Sequence, residues 1–265
     1  AFRSGHSHGR LAGSAWFADD QFISLQEQCV AHVFVDSTGG MGATVVTEAP
    51  VMPQTKALAA AAVKAVTGEE FEGKRIGRFA DQSFYPIGLN SVFGTLSEQE
   101  ATESGNTISF KTGGRRAGGL GWWWHTPEDT VDKVDEEFLV RDTKIYVSVL
   151  HQLLTAPRLP FDYRPAIDEI DQVIRSRISE ATSSHLDLGP LLDDLSQTRE
   201  AINAFHAALD QAGEGADEIG NDALFKLSRH LVPIAFHETG PFTRDKAEPL
   251  VPVPALRDLE RLTSE

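Results

Sequence analysis

The sequence contains a single cysteine, Cys29, in 265 residues. One cysteine excludes an internal disulfide framework and any all-cysteine zinc site, and it leaves the compartment open. Positive charge is scarce: 24 Lys plus Arg stand against 39 Asp plus Glu, a formal net charge of −15 with histidine neutral. Nucleic acids and anionic membranes recruit protein through cationic side chains that displace counterions, so neither is expected as a main partner. No apolar run approaches the roughly 20 residues that a membrane-spanning helix needs, and we expect a soluble chain. A Walker-type phosphate loop and a dinucleotide glycine fingerprint after a strand are both absent. Also missing is any charged leader, apolar segment or cleavage pattern of an export signal, since Ala1 leads directly into AFRSGHSHGR. We therefore expect the sequence to begin part-way through a longer protein.

The residues that are present have a globular balance, 41% hydrophobic and 24% charged, enough for a sizeable core. Residues 29–36, CVAHVFVD, form a short apolar run ended by Ser37, Thr38, Gly39 and Gly40. This is the pattern of a buried strand that delivers Asp36 to its carboxyl end. Residues 14–27 and 52–66 have helical spacing, and 91–96 reads as a further strand. Strands alternating with helices predict an α/β fold with a partial mixed sheet, whose ligands collect at the carboxyl ends of the strands. The glycine-rich stretch 105–121 is either a solvated connection or a loop that cradles a ligand.

From residue 132 the pattern is helical. Val134, Phe138, Ile145, Val149 and Leu153 share one face of a long helix that Pro157 and Pro160 stop. Three further helices follow, marked by Ile167, Ile170, Ile174 and Ile178; by Leu188, Leu192, Leu195, Ile202, Phe205 and Leu209; and by Leu224, Leu227, Leu231 and Ile234. The second of these keeps a seven-residue rhythm suited to packing against other helices. We place the domain boundary in APRLPFDYR at 156–164, giving an α/β domain over 1–157 and a helical bundle domain over 158–265.

Chemistry concentrates in GWWWHTPEDTVDKVDEEF at 121–138. Thr126, Pro127 and Asp129 have the spacing of a helix N-terminal cap, which would set His125 just ahead of a helix. Trp122, Trp123 and Trp124 offer either a dry wall that keeps His125 neutral and able to bind a metal, or a plain piece of core. His6 and His8 stand two residues apart, so on an extended segment they face one side, toward one ion or into a polar loop. Asp36 and Asp81 are further candidates. A carboxylate at the end of a buried strand needs a cation or hydrogen bonds to offset its desolvation.

In order and approximate spacing these segments resemble the zinc aminopeptidase and glutamate carboxypeptidase family over nearly the whole chain. WWWHTPEDTVDKVD is similar to the family segment that supplies the last metal ligand, which implies that role for His125. VAHVFVDSTGG is similar to the strand ending in an aspartate ligand, which implies it for Asp36. FADQSFYPIGLNSVF is similar to the segment before the next strand. There the resemblance implies that Asp81 acts from behind the ligands and that Phe84 to Gly88 line the substrate pocket; in the tryptophan segment Trp124 would stand beside the site and Asp129 would orient it from behind the ligands. The helices beyond residue 160 resemble the dimerisation domain of the transferrin receptor branch and imply a homodimer.

The sequence also departs from the family. Aligned through LAGSAWFAD, the family's adjacent pair of glutamates, a general base and a metal ligand, falls on Ser7 and His8. Serine cannot take a proton as a carboxylate does. His8 is able to ligate in place of the glutamate, with His6 as the competing ligand or as a replacement base. The family's earlier histidine and bridging aspartate have no counterpart here. The resemblance implies zinc, two ions in an intact protein, and hydrolysis of a peptide or related amide bond. The altered pair implies instead a catalytically silent, dimeric binding protein. Substrate and compartment are not specified by the sequence.

Overall fold

The computed structural model describes residues 11–77, 82–101, 116–180, 187–243 and 250–257. His6, Ser7, His8, Asp81 and residues 105–115 of the glycine-rich stretch lie outside them. The fold is mixed α/β and 58% helical, so helix packing rather than a large sheet carries it. Among the described residues no helix is long and apolar enough to cross a membrane. The chain forms two compact units. One gathers Ala1–His32, Asp81–Asn90 and Pro157–Glu265, and the other gathers Val33–Ala80 and Ser91–Ala156.

The second unit holds a small β-α-β element. Strand β2 (Pro50–Val51) leads through a 3-10 turn at Pro53–Thr55 into α3 (Lys56–Thr67), and the chain returns along β3 (Lys74–Arg75). The strands are parallel, with Pro50 opposite Lys74 and Val51 opposite Arg75, an arrangement that requires such a crossover. Leu58, Ala59, Ala62 and Val63 form the buried stripe of α3, which Gly68 ends at φ +76°. Helix α3 packs on α4 (Glu136–Thr155), whose inner face is Asp142, Ile145, Tyr146 and Val149. The expected apolar face of α4 is therefore correct at Ile145 and Val149, whereas Val134 precedes the helix and is exposed.

Strands β1 (Ala31–Val33) and β4 (Asn90–Val92) pair in a second two-stranded sheet. Both are shorter than the apolar runs that predict them. Left-handed backbone interrupts the extension, at Ser37 (φ +55°) after β1 and at Phe93 (φ +63°) directly after β4.

The first unit is largely helical. The helix expected over 14–27 is two helices, α1 (Ala12–Asp20) and α2 (Phe22–Gln28), with the break at Gln21. Asp19 and Asp20 stand at the negative end of α1, where acidic side chains disfavour continuation. Ala18 of α1 packs with Phe84, Ile87 and Leu89 in a core cluster, flanked by Phe17, Phe22, Leu25 and Cys29. The three C-terminal helices match their sequence patterns. Helix α5 (Arg164–Glu180) buries Ile167, Ile170 and Ile174. Its partner α6 (Gly189–Gln211) buries Leu195, Ile202 and Leu209, the seven-residue rhythm seen in the sequence. Helix α7 (Asp217–Phe236) buries Leu224 and Leu231, while Ile234, expected on the same face, is exposed.

Candidate functional site

Asp36 follows β1 and begins a tight loop whose shape the neighbouring segments impose. The Ser37 hydroxyl donates to Asp36 Oδ1 at 3.1 Å. Asp36 Oδ2 accepts no hydrogen bond from the described residues, and the side chain is half-buried. Ser37 and Gly39 are both left-handed, at φ +55° and +69°. A side chain at position 39 would place its Cβ 2.6 Å from Leu139 Cβ, so only glycine allows the loop to lie this close to α4. The loop is stitched to the segment before α4 by Met41 N to Lys133 O (2.8 Å) and Asp135 N to Gly39 O (2.8 Å).

Beneath the loop lies Asp142, with no exposed surface. Its Oδ2 accepts from Gly39 N at 2.9 Å and from Ser97 Oγ at 2.6 Å. Its Oδ1 accepts from Arg141 Nε at 2.8 Å, and Arg141 Nη2 stands 2.7 Å away in the same ion pair. Arg141 reaches on to the Ala43 carbonyl at 2.7 Å. One helical turn later Tyr146 is buried, and its hydroxyl has no hydrogen-bond partner among the described residues. Burial pushes its phenol pKa well up. The sequence held a signal for this network: Asp142 occupies the inner stripe of α4, four residues before Tyr146, where an unpaired carboxylate would be costly.

His125 sits in the turn that precedes α4. It is exposed, its backbone is left-handed at φ +62°, and its ring stacks on Trp124 with centroids 3.3 Å apart. The helix cap expected at Thr126 is not formed. The Thr126 hydroxyl donates to Trp123 O at 2.6 Å and accepts from Glu128 N at 3.2 Å, closing a local turn. Asp129 is exposed and its main-chain N–H closes onto Thr126 O. The helix begins ten residues later, with Asp135 capping Phe138 N at 3.1 Å and Glu136 and Glu137 in its first turn. Asp and Glu at those positions interact favourably with the helix N-terminus; Glu128 and Asp129 follow Thr126 in the same way, but there the main chain closes short turns, Asp129 N onto Thr126 O and Thr130 N onto Glu128 O, and no helix starts. Nor do the tryptophans make one dry wall: Trp123 is buried, Trp124 half-buried and Trp122 exposed.

A second polar cluster organises the same unit. Glu48 and Glu98 are both buried. Glu48 accepts from the main-chain N–H of Arg116 (2.8 Å) and Ala117 (3.2 Å), and Glu98 from Gly119 N (3.1 Å) and Lys74 Nζ (2.8 Å). These carboxylates anchor the chain leading to the tryptophan segment.

Phe84 and Gly88 belong to the other unit. Phe84 is 2% exposed, with its ring 4.7 Å from that of His32. Gly88 meets α7 at close range. Asp36, Trp124, His125 and Asp129 thus share one unit, and Phe84 and Gly88 stand in the other. Among the described residues no group of three or more His, Cys, Asp or Glu is placed to hold a metal ion. The donor types of Asp36 and His125, carboxylate oxygen and imidazole nitrogen, are ones that zinc accepts, and Asp36 Oδ2 accepts no hydrogen bond from the described residues. No protein-family model and no curated protein matches the chain.

Proposed function

We propose that this chain carries the Asp36 and His125 arms of a metal-dependent hydrolase of peptide or related amide bonds, of aminopeptidase or carboxypeptidase type. The observation behind this reading is Asp36 itself. A half-buried carboxylate three residues past β1 has one oxygen that accepts no hydrogen bond from the described residues, on a loop hydrogen-bonded from below by Asp142. A zinc ion bound there would polarise the scissile carbonyl and lower the pKa of its water. Asp36 and His125 would ligate, His8 or His6 would fill the place of the missing glutamate, and Trp124 would brace the His125 ring. The same reading makes the first part of the chain aminopeptidase-like and the C-terminal helices a dimerisation domain.

Zinc per subunit, measured by elemental analysis of the full chain together with hydrolysis of a mixed aminoacyl and acyl-peptide library, tests this. His125→Asn is the informative variant, since asparagine tolerates the left-handed backbone and removes the imidazole. Loss of both zinc and turnover is expected; unchanged metal content would sink the proposal. Ser7 favours a second reading, a dimeric binding protein without catalysis. A chain that sediments as a dimer, takes up no zinc and turns nothing over would establish it.

A further inference from the structure

Asp142 is a fully buried carboxylate in the middle of a helix. Replacing a buried ion pair by apolar side chains is often neutral or stabilising, so such a group is weak evidence for a role in stability. The contacts of Asp142 point elsewhere. Of its three hydrogen-bond donors, one is Nε of its ion-pair neighbour Arg141, and the other two are Gly39 N and Ser97 Oγ. Gly39 is the left-handed residue of the Asp36 loop. Ser97 Oγ also stands 3.2 Å from the Ser37 carbonyl, so its proton lies between that carbonyl and the nearer Asp142. Arg141 fixes the far end of the loop through Ala43 O.

We infer that Asp142, held in place by Arg141, is the positioning residue that fixes the direction of the Asp36 carboxylate. It receives the main-chain N–H of Gly39 and the hydroxyl of Ser97, and so selects the left-handed turn that leaves Asp36 Oδ2 unengaged. The inference rests on the proposal that Asp36 is a metal ligand. Ligating carboxylates and histidines depend on hydrogen-bonded partners behind them, whose loss lowers metal affinity about 10–100-fold.

The test compares the full-length wild type with Asp142→Asn, Ser97→Ala and Asp36→Asn. Zinc affinity is read by competition with a chromogenic chelator, and the Gly39 amide by NMR chemical shift and hydrogen exchange. Asp142→Asn keeps the shape and removes the charge; about a 10–100-fold loss of zinc affinity is expected, with stoichiometry unchanged and the Gly39 amide shifted and less protected. Ser97→Ala leaves the Asp142 and Arg141 pair intact and should lose about tenfold, so the inference stays testable if Asp142→Asn does not fold. Wild-type affinity in a folded Asp142→Asn or in Ser97→Ala overturns the positioning role while leaving the metal reading intact. No zinc uptake by wild type, with Asp36→Asn indistinguishable from it, overturns the metal reading. The Gly39 amide then decides the positioning role alone: an amide unchanged by both substitutions overturns it.

Discussion

Gly88 and Arg229 meet backbone to backbone. Gly88 is at φ +85°, its carbonyl accepts from Arg229 Nη1 at 2.9 Å, and a Cβ at position 88 would lie 2.5 Å from Arg229 Cα. Gly88→Ala therefore combines left-handed strain with a clash against a helix backbone that has no flexible end to yield. We expect a loss of about 2–4 kcal/mol in denaturant unfolding. A loss under about 1 kcal/mol would mean that α7 shifts freely.

Arg229 is a mostly buried cation whose hydrogen bonds go to the carbonyls of Leu25, Gln26, Cys29 and Gly88 and to Ser228 Oγ, while its guanidinium lies over the Phe225 ring. Leu25 O also accepts from Cys29 N at 3.1 Å, but Gln26 O and Cys29 O, at the C-terminal end of α2, have no helical partner among the described residues. Arg229→Met keeps the length and leaves these acceptors unmet. A cost of about 3 kcal/mol is expected, with protection from amide exchange lost first in α2. Uniform loss across the unit would contradict the assignment.

His206 is buried in α6, and its Nε2 accepts from Tyr163 N at 3.0 Å. Burial lowers its pKa below 6.5, against the opposing pull of Asp162. A histidine kept neutral in the fold takes a proton more readily when unfolded, so stability falls as pH drops below about 6.5 and is flat above it. The wild-type melting temperature should decline between pH 7 and pH 5.5. His206→Gln, whose side-chain oxygen reaches the place of Nε2 and can still accept from Tyr163 N, should show a shallower decline; equal slopes would remove His206 as the cause.

Lys74 and Glu98 form an ion pair at 2.8 Å with side chains only 11% and 8% exposed. Lys74→Met leaves a buried carboxylate with Gly119 N as its remaining donor, and should cost about 3–5 kcal/mol. Adding Glu98→Gln removes the stranded charge and should recover part of that loss. A double variant no more stable than Lys74→Met would place the cost in lost packing instead.

Much of the helical part was legible in the sequence, because an amphipathic helix writes its burial into 3.6-residue spacing. Ile167, Ile170 and Ile174, and the seven-residue series Leu195, Ile202 and Leu209, fall where their spacing puts them. The start of α4 was also written, in Asp135, Glu136 and Glu137, but the earlier Thr-Pro-x-Asp run mimics the same signal and drew the boundary toward Thr126. Strand limits were less legible. Ser37 and Phe93 adopt left-handed backbone that neither residue type favours, and only surrounding contacts hold them there.

For the site, the sequence alone determined the types of donor available and the position of Asp36 after an apolar strand, since both follow from local composition. Tertiary structure decided the rest. The left-handed turn at Gly39, the approach of α4 to 2.6 Å of a would-be Cβ, and the three donors on Asp142 join residues as distant as Gly39, Ser97 and Asp142. Hydrogen bonds between such separated residues leave no period in the chain, because they depend on how α4 and the loops after β1 and β4 come together and not on the spacing within any one of them.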